Sequence, residues 1–315
     1  MSDLAVATGS RGSHSRPAKV KQRRNWVPYA LLAPGLLWLF FFFAVPTISL
    51  ISQSLQTGDT YNGYALTWHF STYADAFSRY WPQLLRSLIY AGLATVFTLL
   101  LGYPLAWFIA HRSGKYKNIL LVLVIAPFFT SFLIRTLAWQ TILGTDGLLE
   151  KFVGLLHLTW LLNGFETFLG WVHLGTGNQL LYTPFAVIAG LTYNFLPFMV
   201  LPLYSNIERL DLRLTEAASD LYATPLSTFR KVIWPLSLPG VVAGTLLTFI
   251  PAAGDYINSV LLGSTKTVMI GQVIDSQFLR VLNYPLAAAL SVGLMAIIIA
   301  LVFTYVRRSG TEELV

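Results

Sequence analysis

Long apolar runs with few charges recur along the chain, and each is long enough to cross a membrane. A bilayer core of about 30 Å needs about 20 apolar residues in a helix that rises about 1.5 Å per residue. The first run is longer than the core of a signal peptide, about 7 to 15 residues, so it is interpreted as a retained span. Six spans are predicted: residues 27–51, 88–110, 119–143, 182–204, 239–262 and 285–306.

A further apolar stretch, residues 152–172, is set apart from these spans. It carries His157, Asn163 and Glu166, and counting it as a span would invert the orientation of everything after it. Its two tryptophans and its phenylalanines suit an amphipathic segment that lies at the outer membrane interface. The pattern therefore predicts an all-α membrane protein with six spans.

Composition supports a membrane location. Of the 315 residues, 55% are hydrophobic and 11% are charged, whereas soluble chains carry roughly a quarter charged residues. The mean hydropathy is +0.61. The chain has no cysteine, which excludes a disulfide framework and a thiolate metal site.

The net charge of +7 reflects topology. Residues 1–25 form a Ser/Gly/Arg-rich segment too polar to fold, and they are predicted to be a disordered basic tail. When the amino terminus is placed in the cytoplasm, 15 of the 21 basic residues lie inside, so both termini are predicted to be cytoplasmic. A transmembrane domain of residues 26–308 is followed by a cytoplasmic tail, residues 309–315. The basic residues form no patch that would indicate nucleic acid as a partner.

The longest predicted cytoplasmic loop, residues 205–238, contains most of the segment EAASDLYATPLSTFRKVIWPLSLPG. Thr215 is predicted to cap a first short helix. Thr224 and Pro225 supply a cap and a first-turn proline for a second helix, which Pro235 is predicted to end. The apolar stripe of this helical pair has two interpretations: it packs beneath the bundle or among lipid headgroups, or it binds another protein.

The same segment resembles the EAA loop of ABC importer permeases. The pattern is carried by Glu216, Ala217, Ala218, Ala223, Phe229 and the Leu238-Pro239 pair. In that family the loop docks in a cleft of the ATP-hydrolysing subunit and transmits its motion to the membrane helices. The resemblance implies a set of ATPase-coupling residues: Glu216, Ala217, Ala218, Asp220, Tyr222, Ala223, Phe229 and Pro235.

Tyr222 departs from the family pattern, which has glycine at this position. If the turn requires a left-handed residue here, a side chain costs about 1 to 2 kcal/mol. The sequence leaves two alternatives: a different turn, or a tolerated strain.

Further segments resemble the permeases of spermidine/putrescine importers, in order and spacing: LGYPLAWFIA, APFFTSFLIRTLAWQTIL, LPFMVLPLYSNIERLD and PAAGDYINSVLLG. The resemblance implies a multi-pass permease of the bacterial cytoplasmic membrane, embedded in the lipid bilayer and importing a polyamine. It also implies a cytoplasmic ATPase dimer, a second related permease and an extracytoplasmic substrate-binding protein. Ferric iron, sulfate and other small solutes remain alternatives, because their importers have related permeases.

Among the predicted spans, Asp255 is the only acidic residue that lies in a central part. Placing an isolated charge at the middle of the bilayer costs at least about 2.5 to 3.5 kcal/mol. Pro251 and Gly254 precede it, so the helix is expected to be kinked or partly unwound there. With Tyr256 beside it, Asp255 is a candidate for binding a cationic amine. The alternatives are a structural ion pair with Arg135 or a solvated outer position, and Arg135 is itself a candidate for an anionic solute.

Trp139 and Asn194 complete the candidates for the substrate pathway, although interhelical hydrogen bonding or interfacial anchoring is the favoured explanation for such residues. No GxxxxGK[ST] loop, no nucleophile with a base and no clustered metal ligands are present, so neither an enzyme, a metal site nor a cofactor is predicted. An ion-driven secondary transporter is the alternative from another class. One intramembrane acid and the lack of a repeat speak against it.

Overall fold

The computed structural model describes residues 27–145, 147–157, 159–171, 174 and 179–308. Within these residues, the regular secondary structure is helical apart from one hairpin. The helices are α1 Val27–Leu39, α2 Val45–Ser54, α3 Ser71–His111, α4 Lys117–Ile125, α5 Phe132–Leu143, α6 Leu148–Leu155, α7 Thr159–Trp171, α8 Pro184–Ile207, α9 Arg213–Asp220, α10 Pro225–Thr228, α11 Trp234–Ala253, α12 Ile257–Leu262, α13 Ile270–Leu279 and α14 Tyr284–Arg308. The predicted tails, residues 1–25 and 309–315, lie outside the described residues.

Shorter elements join some of these helices. Two are π turns and two are 3-10 turns: Phe40–Ala44, Phe229–Ile233, Gly114–Tyr116 and Ala126–Phe129. Each π turn ends two residues before a proline, Pro46 or Pro235. A proline ring clashes with the carbonyl four residues earlier and has no N–H to donate, and a wider turn accommodates both constraints.

The chain divides into two units, Met1–Ile48 and Ser49–Val315. In the described part of the first unit, α1 leads through the π turn into α2, and the rings of Trp38 and Phe42 stack with centroids 4.1 Å apart. This run belongs to the helix Tyr29–Ser54, which is long and apolar enough to span a membrane.

The core of the second unit is formed by α3, α8 and α11. Small residues allow the close approach of α8 and α11: a Cβ atom on Gly240 would lie 2.7 Å from Asn206 Cβ, and one on Gly244 would lie 2.7 Å from Met199 Sδ. Small residues of this kind let membrane helices pack closely.

Five described helices meet the length and composition of a span, and a bent pair raises the count to six. The six-span prediction agrees with this, but three spans differ in detail. Helix α3 begins at Ser71, well before residue 88. The third span is bent by 96° between Phe129 and Phe132. The fifth span is interrupted, because α11 ends at Ala253 and α12 begins at Ile257.

The stretch at residues 152–172 forms parts of two helices, α6 and α7. Helix α7 has 13 residues, which gives about 20 Å at 1.5 Å per residue and is shorter than a bilayer core. Treating this stretch as something other than a seventh span agrees with the helices that are observed.

The hairpin was not predicted. Strands β1 Gln56–Asp59 and β2 Gly63–Leu66 pair antiparallel with Gln56 opposite Leu66. Asp59 closes the turn by accepting hydrogen bonds from the backbone N–H groups of Tyr61 and Asn62, and the bond from Asn62 lowers the pKa of this carboxyl. Four-residue strands with polar residues have no hydrophobic alternation that would reveal them.

Candidate functional site

The break between α11 and α12 places Asp255 inside the protein. Helix α11 ends at Ala253, and α12 begins at Ile257. The carboxylate is 9% exposed. A break at this position leaves backbone N–H and C=O groups without their helical hydrogen bonds. Such breaks are typical of membrane helices that line a cavity.

Asp255 belongs to a buried polar network that also contains Thr136, Asn194 and Asn258. Its Oδ1 accepts hydrogen bonds from the backbone N–H of Asn258 at 2.8 Å and from Asn258 Nδ2 at 3.2 Å. Asn258 Oδ1 accepts from Asn194 Nδ2 at 3.2 Å, and the same Nδ2 is 3.2 Å from Thr136 Oγ1. The network therefore joins the break to α5, α8 and α12, as expected for buried polar groups.

The second carboxylate oxygen of Asp255 has a different environment. Both hydrogen bonds fall on Oδ1, and no described residue donates to Oδ2. A carboxylate can accept about four hydrogen bonds. Asp255 is thus oriented by the protein through one oxygen and keeps the other available for a donor.

Two glycines allow neighbouring helices to pack tightly around the break. A Cβ atom on Gly190 of α8 would lie 2.4 Å from Leu262 Cδ1 and 2.7 Å from Asn258 Oδ1. On Gly271 of α13 it would lie 2.4 Å from the carbonyl oxygen of Gly254. Real Cβ atoms do not approach so closely, so a side chain at residue 190 would displace Leu262 and Asn258, and Gly271, which faces backbone, cannot be replaced without moving a helix.

Arg135 does not pair with Asp255. Its side chain is also 9% exposed, but no ion pair within 4.0 Å joins these two groups. Its Nε and NH1 have no hydrogen-bond partner, and the guanidinium lies 5.5 Å from the centroid of Phe132 and 6.0 Å from that of Phe128. The alternative of a structural Arg135–Asp255 ion pair therefore finds no support in this geometry.

The remaining pathway candidates lie in different surroundings. Asn194 belongs to the polar network, and Tyr256 is 43% exposed. Trp139 packs edge to face on Tyr193, with centroids 5.6 Å apart, and lines an apolar cavity of about 600 Å³ with residues of α3, α7 and α8. Thr136 and Asn258 were missed as site residues. For Asn258, the signal was its position three residues after Asp255 in an otherwise apolar segment.

The EAA-type loop, residues 205–238, begins in the last turn of α8 and then forms α9. Thr215 was predicted to cap this helix, and that is wrong: its hydroxyl donates to the Leu212 carbonyl at 2.6 Å. Asp211 lies before the helix and accepts from the Arg213 N–H at 3.0 Å. Glu216 is exposed in the first turn, where an acid interacts favourably with the helix dipole.

Tyr222 has a left-handed backbone, with φ at 57°. Its N–H donates to the Ser219 carbonyl at 2.9 Å, and the Ala223 N–H donates to the Ala218 carbonyl at 3.0 Å. These two bonds form a Schellman motif, in which glycine is the usual residue at the position of Tyr222. The turn is therefore kept, and the strain of a non-glycine residue is tolerated.

The second helix of the loop starts as predicted but does not end at Pro235. Thr224 Oγ1 accepts from the Ser227 N–H at 3.3 Å, and Pro225 occupies the first turn. The helix then continues through the π turn into α11, as one segment Pro225–Ala253. Pro235 lies at the start of α11, where its missing N–H is accommodated by the wider turn before it.

Large apolar side chains of the loop are exposed. Leu221 is 82% exposed, Tyr222 97% and Leu226 75%. At the beginning of the loop, Glu208 forms an ion pair with Lys117, and this hydrogen bond holds the pKa of the carboxyl below its usual range. The loop is thus attached at one end while its turn presents an apolar surface.

Comparison with known proteins identifies the family. Residues 102–309 match the family described as "Binding-protein-dependent transport system inner membrane component". The chain belongs to this family. The permease is 40% identical over 271 residues to the "Spermidine/putrescine transport system permease protein PotB" of Haemophilus influenzae, covering 86% of this chain and 90% of that protein. It is 40% identical over 273 residues to PotB of Escherichia coli (strain K12), covering 86% and 94%.

A solved structure shares the fold. It is described as a bacterial ABC transporter involved in the import of the acidic polysaccharide alginate, and its matching chain aligns with a TM-score of 0.64 at 18% identity. The alignment covers 91% of the permease and 96% of that chain. The resemblance inferred from the EAA-type loop is therefore confirmed: the permease is a multi-pass inner-membrane component of an ABC transporter, and no activity as an enzyme follows from its family.

Proposed function

We propose that the permease imports a polyamine of the spermidine or putrescine type and forms half of the translocation pathway. The observation that carries this proposal is Asp255, a buried carboxylate with one oxygen held by Asn258 and the other without a donor among the described residues. A protonated amine would supply both the charge and the hydrogen bonds that this oxygen lacks. The relatives at 40% identity, named for spermidine and putrescine, support the same substrate class.

The energy would come from a separate ATPase dimer that binds the EAA-type loop. The exposed Leu221, Tyr222 and Leu226 form the kind of apolar surface that a protein partner covers. The exposed Glu216 adds a charge for orienting this contact. The proposal places both chain termini and this loop in the cytoplasm, in agreement with the distribution of basic residues.

Two further partners complete the proposed importer. A second, related permease closes the pathway, and an extracytoplasmic binding protein delivers the solute. Because a binding protein selects the solute first, its ligand is the most direct measure of the substrate.

Arg135 supports one competing substrate class. Its buried, unpaired guanidinium is a potential site for an anion such as sulfate. A binding assay on the partner binding protein with spermidine, putrescine, ferric iron and sulfate separates the two classes. Binding of spermidine or putrescine is expected, and exclusive binding of sulfate or ferric iron would overturn the polyamine assignment.

Transport measurements test the role of Asp255. The complete complex in liposomes is expected to take up labelled spermidine with ATP hydrolysis, and Asp255→Asn is expected to lower this uptake about tenfold, since a hydrogen bond to a charged group contributes about 1.5 to 3 kcal/mol. Asp75→Asn, at an exposed position of α3, is the matched control. Unchanged uptake in Asp255→Asn would contradict the substrate role, and uptake by this chain alone without ATP would indicate a secondary transporter.

A further inference from the structure

An aromatic joint connects the EAA-type loop to α3. It consists of Tyr103, Phe229, Trp234 and the hydroxyl of Ser237. The ring of Tyr103 meets Phe229 edge to face at 5.6 Å and lies 5.6 Å from Trp234, while Phe229 and Trp234 are 6.1 Å apart. Three rings from two helices therefore form one closed contact.

The joint also contains a directed hydrogen bond. Ser237 Oγ lies 2.9 Å from the carbonyl of Trp234 and 2.9 Å from the hydroxyl of Tyr103. A serine hydroxyl has one hydrogen, and the carbonyl can only accept, so Ser237 donates to Trp234 and the Tyr103 hydroxyl donates to Ser237. Tyr103 is 8% exposed and Ser237 is fully buried, so neither hydroxyl is easily satisfied by water.

The position of this joint in the helix is significant. Phe229 and Trp234 flank the π turn Phe229–Ile233, in which the Trp234 N–H donates to the Phe229 carbonyl five residues earlier. Such turns interrupt the regular ladder and are frequent at functional sites. The backbone carries a displacement of α10 through this turn into α11, and the side-chain contact with Tyr103 offers a second route, into α3.

That second route leads toward Asp255. On α3, Ser87 accepts a hydrogen bond from the Ile270 N–H at 2.7 Å, at the first residue of α13. The next residue, Gly271, packs against the carbonyls of Gly254 and Asp255. Ser87 and Tyr103 lie on one helix, about 24 Å apart at 1.5 Å per residue. Helix α3 thus contacts the loop at one point and the helix beside the break at another.

We propose that Tyr103 is a positioning residue that transmits movement of the EAA-type loop through α3 and α13 to the break at Asp255. This inference rests on the proposed function for the role of the loop. It does not depend on the identity of the solute. Transmission through packed side chains and rigid helices is the physical form that such coupling takes.

Tyr103→Phe tests the proposal because it keeps the ring and removes the hydroxyl. The quantity to measure is the number of solute molecules transported per ATP hydrolysed, in the reconstituted complex with the loaded binding protein. We expect this ratio to fall about fivefold or more, while assembly with the ATPase and ATP hydrolysis without binding protein stay unchanged. Ser237→Ala also removes the bond to the Trp234 carbonyl, which lies within one helix, but all three variants lose the Tyr103–Ser237 bond between helices, so Ser237→Ala and the double variant should lower the ratio by the same factor as Tyr103→Phe.

Tyr90→Phe is the matched control, since Tyr90 is equally buried on α3. A wild-type ratio in Tyr103→Phe, or additive losses in the double variant, would overturn the proposal. If the Tyr103→Phe permease does not assemble, the number of solute molecules transported per ATP hydrolysed by the Ser237→Ala complex tests the proposal instead. A wild-type complex that hydrolyses ATP but moves no polyamine would contradict the proposed substrate, and the ratio would then be measured with whichever solute the binding protein delivers.

Discussion

The turn of the EAA-type loop and the break at Asp255 each place side chains in surroundings of the opposite polarity. The loop exposes Leu221 and Leu226, whereas the break buries Asp255, Asn194 and Asn258. Apolar side chains in water and polar side chains in a membrane-spanning bundle are both unfavourable unless something compensates. Departures of this kind are expected at functional sites.

The compensation differs between the two regions. At the break it is internal but incomplete, because Asn194 donates to Asn258 and Asn258 orients Asp255, while Asn194 Oδ1 has no partner among the described residues. At the loop nothing within the described chain covers Leu221 or Leu226, so compensation has to come from a partner. Mutations at the break should therefore change the stability of the permease itself, and mutations at the loop should change its assembly and activity.

The largest effect is expected for Glu216→Arg. Reversing an exposed charge on a docking surface costs several kcal/mol of binding, so ATP-dependent uptake should fall about tenfold or more. The free energy of unfolding of the isolated permease should change by only about 0.3 to 1 kcal/mol, because Glu216 is exposed and its interaction with the α9 dipole is all that is lost. Asp75→Arg, at another exposed position, is the control. Wild-type uptake in Glu216→Arg would remove the basis for treating the loop as a docking surface.

A smaller effect, on stability, is expected for Gly271→Ala. The new Cβ would lie 2.4 Å from the Gly254 carbonyl oxygen, which belongs to backbone and cannot move alone. Overpacking of this kind costs about 1 to 3 kcal/mol, measurable by denaturant unfolding in detergent. Gly92→Ala is the control, because a Cβ there meets nothing within 4 Å. Equal stability of the two variants would show that α13 does not pack on the break as described.

Asn258→Ala should destabilise the permease by about 1 to 2 kcal/mol, since it leaves Asp255 Oδ1 and Asn194 Nδ2 with fewer partners. The same unfolding measurement applies, and spermidine uptake should decline as Asp255 loses its orientation. In the background of Asp255→Asn, the change at position 258 should have less effect on uptake, since both act on one group. If the two substitutions lower uptake by fully additive free energies, Asn258 does not act on uptake through Asp255.

Sequence patterns predicted the spans because a bilayer imposes a length and a composition that no other environment imposes. They predicted the break before Asp255, from Pro251 and Gly254, but they did not predict the bend in the third span. The 96° bend between Phe129 and Phe132 lies within a run whose average hydropathy is that of one continuous span, and hydropathy carries no information on the direction of a helix. The early start of α3 at Ser71 was missed because its first turns contain Asp75, Arg79 and Arg86.

The sequence showed where a proline would perturb a helix, but it did not show which backbone structure would accommodate that proline. Pro235 was expected to end a helix, and instead a π turn precedes it, as one precedes Pro46. Either solution removes the clash with the carbonyl four residues earlier. The candidate site was predictable at Asp255, whose charge stands out in an apolar segment. It was not predictable at Thr136, because threonines are common in membrane helices and their partners depend on tertiary packing.

Tyr222→Gly gives the smallest expected effect and tests the loop turn directly. A left-handed tyrosine costs about 1 to 2 kcal/mol, and glycine adds about 0.5 to 1 kcal/mol of backbone entropy, so the net change should be a stabilisation of about 1 kcal/mol or less. Leu221→Gly is the matched control: Leu221 has a φ of −87°, so glycine there carries the entropy without relieving strain and should destabilise. If both variants destabilise the loop equally, measured by hydrogen exchange of the amides of α9, the strain at Tyr222 is absent in solution. If Tyr222→Gly stabilises the loop but lowers uptake, the exposed ring is retained for its partner at the expense of local stability.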